Sequence, residues 1–218
     1  MQHVDIKQLN VQALQAAKVG DKQLIERGAN DFNGIATVAA CAGHIQIIEQ
    51  MLALGANDFN CIAYGAASGG HKDIVEQMIQ RGADEFYWIA EDAARGGHLD
   101  IVIDMIQRGA DRVPRYLDAP HPNNREPGHK VPNFDRIAYG AAKGGHKDIV
   151  NEMIQRGATD FDRIANGAAK GGHKDIVNDM IQRGATYIDL IALEAAIGGH
   201  LNVGNYALEL IYDNSPEK

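Results

Sequence analysis

Apolar residues recur along this chain in two alternating helical patterns. Between Asn133 and Ala158, Phe134, Ile137, Ala138, Ala141 and Ala142 share one face, and Ile149, Val150, Met153 and Ile154 share another. Both sets follow the i, i+3, i+4, i+7 spacing of an amphipathic α-helix. Gly144-Gly145 between them predicts a tight turn, and Gly157 predicts a left-handed end to the second helix. The paired alanines keep the first helix slim, so that a neighbour can approach to about 8–10 Å. A helix pair this small cannot bury its own apolar face and must lean on copies of itself.

Those copies are present. Lys143 to Thr159 returns almost letter for letter as Lys170 to Thr186. His44, His71, His98, His146, His173 and His200 mark the register, with gaps of 27, 27, 48, 27 and 27 residues. The long gap is one period plus 21 extra residues, placed at 112–132. A fixed period in this range predicts a stacked array of repeats. The units start at Asp31, Asp58, Glu85, Asn133, Asp160 and Tyr187. Acidic residues at helix starts suit the positive end of the helix dipole. Residues 1–30 read as a degenerate N-terminal cap whose second helix, carrying Lys22 and Glu26, is one turn short. Residues 31–111 hold repeats one to three, 133–186 repeats four and five, and 187–218 repeat six, the C-terminal cap and a tail. The whole of 1–218 is expected to be one domain. The 112–132 segment contains five of the six prolines, so no helix runs through it, and it reads as a protruding loop.

The frame Ala141-Ala142-Lys143, Gly145-His146, Ile149-Val150, Gly157-Ala158 resembles the ankyrin repeat, and it holds in six registers. The resemblance implies an all-α, ankyrin-like solenoid of stacked helix-turn-helix repeats with one long loop insertion. It also implies a non-enzymatic scaffold that binds another protein. Two departures stand out. Arg136-Ile137-Ala138-Tyr139 replaces the TPLH motif, and the shorter period removes the residues that form the family's β-hairpin fingers. Short turns are expected there. Shortened arrays of this kind look like those of amoeba-infecting large viruses and intracellular bacteria, which implies an intracellular setting, a host cytosol among them.

Charge and cysteine usage narrow the partner. A net charge of −8 favours solubility and argues against general nucleic-acid binding. No apolar run is long enough to span a membrane. Cys41 and Cys61 fall on adjacent first helices about 10 Å apart along them, too far for a disulfide. Both read as free thiols in a reducing compartment. The chain is expected to act as a monomer.

Candidate chemistry lies where the copies differ. The positions ten, seven and three residues before each histidine vary most and share one helical face. They are Gly34, Thr37 and Cys41; Cys61, Tyr64 and Ser68; Trp88, Glu91 and Arg95; Arg136, Tyr139 and Lys143; Arg163, Asn166 and Lys170; Leu190, Leu193 and Ile197. In ankyrin arrays this face lines the concave groove. Tyr, Trp and Arg dominate binding hot spots. The expected partner site is therefore Tyr64, Tyr87, Trp88, Glu91, Arg95, Arg136, Tyr139, Lys143, Arg163, Asn166 and Lys170, centred on Trp88, Tyr139 and Arg136 and walled by the 112–132 loop. It needs no cofactor. One alternative is an enzyme whose acid–base groups are Glu91, Asp118, His121 and His129. Another is an anionic ligand, nucleic acid included, on Arg95, Arg136, Lys143, Arg163 and Lys170. The histidine ladder invites a metal reading, but a repeat spacing of about 10 Å is too wide for a shared ion. Each histidine is read instead as ordering its turn. That role takes His44 away from Cys41, the one thiol three residues from a ladder histidine.

Overall fold

The computed structural model describes residues 6–21, 29–110 and 134–213, and these are helices joined by tight turns with no strand among them. They fall into two compact units, Met1–Met105 and Ile106–Lys218. The first holds α1 (Ile6–Val19), α2 (Phe32–Cys41), α3 (Ile45–Ala53), α4 (Phe59–Gly69), α5 (Lys72–Gln80), α6 (Phe86–Gly96) and α7 (Leu99–Met105). The second opens with a wide helical turn, Ile106–Ala110. It continues with α8 (Phe134–Gly144), α9 (Lys147–Gln155), α10 (Phe161–Gly171), α11 (Lys174–Gln182), α12 (Ile188–Ile197) and α13 (Leu201–Asp213). The inserted loop, its Asp118, His121, Glu126 and His129, and the short cap helix with Lys22 and Glu26 lie outside the described residues.

Each repeat has the helix pair that the apolar spacing predicts. Asp31, Asp58 and Asp160 sit at the N-caps of α2, α4 and α10, and each accepts a hydrogen bond at 3.0 Å from the amide three residues on. Gly70, Gly97, Gly145 and Gly172 take left-handed φ angles of 80–87° in the turn between helices. Gly55, Gly82, Gly109, Gly157 and Gly184 do so, at 104–115°, after the second. Ile149, Val150 and Met153 are fully buried, as are Ala141 and Ala142, and the same positions are closed in repeats one to five. Each such aliphatic side chain contributes about 1.5–3 kcal/mol of burial free energy.

Within the first unit α1, α2, α4 and α6 pack side by side in chain order, and within the second α8, α10 and α12 do the same. Two ladders hold these contacts. In the first, the histidine ring of one repeat lies on the turn glycine of the repeat before it: His44 on Gly20, His71 on Gly43, His98 on Gly70, His173 on Gly145 and His200 on Gly172. The ring of His71 comes within 2.6 Å of where a Cβ on Gly43 would stand. His44 Nε2 lies 3.3 Å from the Lys18 carbonyl, to which it donates. The histidine thus joins two repeats rather than ordering its own turn alone.

The second ladder is polar and does not show in the apolar spacing. The residue eleven before the histidine reaches the next repeat and accepts from two backbone amides there. Asn33 Oδ1 takes Asn57 and Asp58 N at 2.8 and 3.0 Å. Asn60 takes Asp84 and Glu85 N at 2.9 and 3.2 Å. Asp135 takes Thr159 and Asp160 N at 2.6 and 2.8 Å, and Asp162 takes Thr186 and Tyr187 N at 2.6 and 2.8 Å. Asn10 of α1 does the same for Asn30 and Asp31. These bonds satisfy amides in the short turns that stand where a hairpin finger would be.

Glycine, more than alanine, sets the closeness of the first helices. Gly69 of α4 presses its Cα on the Cys41 carbonyl, Gly96 on that of Ser68, Gly171 on that of Lys143 and Gly198 on that of Lys170. A Cβ at any of these glycines would overlap the oxygen.

Candidate functional site

The variable positions project from first helices whose backbones are fixed by these ladders, so their side chains are the part free to differ. In the first unit they line an open depression of about 370 Å³. Its walls are Thr37, Val38 and Cys41 of α2, Cys61, Tyr64, Gly65 and Ser68 of α4, and Asp92 of α6. Five of these eight residues belong to the variable set, which makes the depression a feature of divergence rather than of the common frame. Thr37 Oγ1 donates to the Asn33 carbonyl at 2.9 Å, and the Tyr64 hydroxyl donates to the Glu85 carboxylate.

Both thiols are unpaired, Cys41 exposed and Cys61 half-buried. Burial pushes the Cys61 thiol up to about 11, helped by its hydrogen bond to Asp58 and by the negative charge of Asp58, Glu85 and Asp92. It is therefore protonated at neutral pH and is a poor nucleophile. His44 faces the Lys18 carbonyl. The two thiols serve as small, soft wall residues.

Two members of the expected partner site are withdrawn from the surface. Tyr87 is 3% exposed and packs edge-on against Trp88, with ring centroids 5.2 Å apart and planes at 78°. It stands eleven residues before His98, in the register of the stapling residues Asn33 and Asn60, not of the groove. Glu91 does occupy a groove register but is 4% exposed, because Arg95 one turn on folds over it at 3.4 Å. Arg95 also pairs with Asp92. Trp88 and Tyr64 remain half-buried.

In the second unit the same face is cationic and aromatic. Arg136, Tyr139 and Lys143 of α8 and Arg163, Asn166 and Lys170 of α10 are all half-buried. The Arg163 guanidinium lies 5.9 Å from the centre of the Tyr139 ring, a cation–π contact. Lys170 is joined to Glu194 of α12 at 3.3 Å. The Asn166 Oδ1 is enclosed and has no hydrogen-bond partner among the described residues. Trp88 belongs to the first unit and Tyr139 and Arg136 to the second, and each unit's face has its own character.

The outer face of the second helices carries ion pairs instead. Glu152–Arg156 at 2.8 Å and Asp179–Arg183 at 3.2 Å lie within a helix. Lys72–Asp104, Lys147–Asp179 and Glu49–Arg81, at 3.9, 3.5 and 3.3 Å, bridge successive repeats. Among the described residues no group of three His, Cys, Asp or Glu side chains could hold a metal, and no helix is long and apolar enough to cross a membrane.

These features define a class: an all-helical array of repeated helix pairs with a constant inter-repeat frame and a variable first-helix face. That is the architecture implied by the ankyrin resemblance. Among solved structures, the chain is similar to the human ASB11 ankyrin repeat domain, with 20% identity, a TM-score of 0.43, and coverage of 82% of this chain and 84% of that one. No protein-family model matches the chain, and no curated protein matches it in sequence.

Proposed function

We propose that this protein is a non-enzymatic scaffold that binds another protein through the variable face of its first helices. One observation carries the reading. The residues that differ from copy to copy line the depression on α2 and α4, while the residues that join the repeats are nearly invariant or are backbone atoms. The working residues are Thr37, Cys41, Cys61, Tyr64, Ser68 and Trp88 in the first unit. In the second they are Arg136, Tyr139, Lys143, Arg163 and Asn166. The first unit's depression suits an apolar knob on a partner, and the second unit's cationic face suits acidic groups. The unpaired thiols suit a reducing, intracellular compartment.

The rival readings lose named residues. The anionic-ligand stripe gives up Arg95 to Asp92 and Glu91, and Lys170 to Glu194. Glu91, the acid–base candidate that lies among the described residues, has its carboxylate enclosed with Arg95. The test is comparative capture from a native lysate with three baits: the intact chain, Cys41→Arg/Ser68→Arg, and Lys143→Glu/Arg163→Glu. The scaffold reading predicts that a specific protein band is lost from at least one folded variant. Identical capture by all three baits contradicts it.

A further inference from the structure

The side chains seven residues before the histidines are mostly engaged within their own unit. Thr37 donates to the Asn33 carbonyl, Tyr64 donates to the Glu85 carboxylate, and Glu91 is paired with Arg95. The Tyr139 ring fills the space left by Gly167, where a Cβ would stand 2.8 Å from its Cδ2, and the Arg163 guanidinium lies over that ring. Asn166 departs from this series. Its Oδ1 is enclosed without a hydrogen-bond partner among the described residues. An acceptor left in that state destabilises the fold, and it has no bond to lose when the side chain moves. The terminal torsion of an asparagine is soft, so the half-buried side chain can turn its amide edge outward. That edge carries an acceptor and a donor side by side. It is the complement of a peptide main chain, which offers an N–H and a C=O. A strand holds those groups open, whereas a helix has already paired its own.

We propose that the second unit's face takes an extended acidic segment of a partner protein, with one main-chain amide paired to Asn166. This rests on reading the first-helix face as the partner surface, and it names what the second unit's part of that face takes. The charges around Asn166 are positive. Arg163 stands one turn before it on α10, and Arg136 and Lys143 stand on the neighbouring α8. Carboxylates on either side of the docked amide would form charge-assisted hydrogen bonds with them. The chain as a whole carries −8, so the attraction is local and acts within a screening length of about 8 Å. A nucleic acid fits this face less well. Bases stack on open aromatic faces, but the Tyr139 ring is held between Gly167 and Arg163. Lys170 is already joined to Glu194, whose carboxylate would repel a phosphate.

A displayed library of random twelve-residue peptides, selected on the intact chain, tests this. Selection should enrich Asp and Glu, and selection on Lys143→Glu/Arg163→Glu should enrich Lys and Arg instead. Lys147→Glu/Arg156→Glu makes the same change of charge on the outer face and should keep the acidic preference. One selected acidic peptide is then synthesised with a fluorescent label and N-methylated at each main-chain amide in turn. One position should weaken binding to the intact chain about tenfold and have little effect against Asn166→Ala, once both chains show the same urea midpoint. A scan with no amide coupled to Asn166 overturns the proposal. So does an acidic peptide that binds the Lys143→Glu/Arg163→Glu chain equally well, or an oligothymidine that displaces the peptide and binds more tightly. Enrichment of apolar peptides alone, lost on Cys41→Arg/Ser68→Arg, overturns it while leaving the scaffold reading in place. An empty selection overturns it too, and lysate capture by the intact chain then decides whether the scaffold reading falls with it.

Discussion

The edge of each repeat that meets its neighbour and the face that meets solvent are built from the same first helix, yet they behave as two different proteins. On the edge, one chemistry is used again and again: histidine over glycine, glycine Cα over a carbonyl, one side-chain oxygen gathering two amides. On the face, three positions carry Thr, Cys, Tyr, Glu, Asn, Trp, Arg, Lys, Leu and Ile in turn. The junction repeats because backbone-to-backbone geometry leaves a single solution. The face varies because what joins repeats there is a side-chain pair peculiar to each junction, such as Arg163 with Tyr139 or Lys170 with Glu194. Substitutions should therefore divide sharply, with stability read from the edge and recognition from the face.

The largest effect is expected at the close-approach glycines. Gly171→Ala drives a methyl into the Lys143 carbonyl, which cannot move without separating α8 from α10. Urea denaturation should show a loss of about 3 kcal/mol. Gly157→Ala is the control that sharpens this: nothing lies within 4 Å, so only its φ of 114° is penalised, by about 1–2 kcal/mol. Equal losses at the two glycines would mean that steric closeness is not what holds the helices.

Next comes the stapling ladder. Asp162→Ala frees the Thr186 and Tyr187 amides at once, with an expected loss of about 1–2 kcal/mol. Asp162→Asn keeps an acceptor oxygen, as in Asn33 and Asn60, and should recover most of it. On the face, Lys143→Glu/Arg163→Glu gives up the Arg163–Tyr139 cation–π contact and should shift stability by no more than about 1 kcal/mol. Smallest of all, Arg156→Gln removes a surface ion pair worth about 0.3–0.5 kcal/mol, and the difference from the parent should fade in high salt.

Much of the edge is legible in the sequence. The histidine spacing sets the period, the glycines set the turns, and the alanine pairs mark the closed side of the first helices. The second ladder is harder to see, because Asn33, Asn60, Asp135 and Asp162 look like ordinary polar or acidic residues near helix starts, where they also suit the helix dipole. Their shared place eleven residues before the histidine, with Asn10 in step, is the signal that could find it. Tyr87 is expected in the groove as a neighbour of Trp88, although that same register turns it away. Glu91 holds a groove register, but no periodicity reports that an arginine one turn later covers it. The last repeat reads as a cap from its unusual α13. There Tyr206 donates to Asn178 at 2.9 Å, and the Lys174 ammonium lies 4.1 Å from its ring. The exposure of Leu193 and Ile197 on α12 is a matter of three-dimensional packing, since its own spacing matches that of the covered helices before it.

The division between edge and face is tested most directly by one paired measurement on one variant, Lys143→Glu/Arg163→Glu/Ser68→Arg. Its urea midpoint and its capture of protein from native lysate are recorded against the intact chain. The account predicts a midpoint nearly unchanged and a bound protein lost. A collapsed midpoint, or full capture by a folded variant, would contradict it.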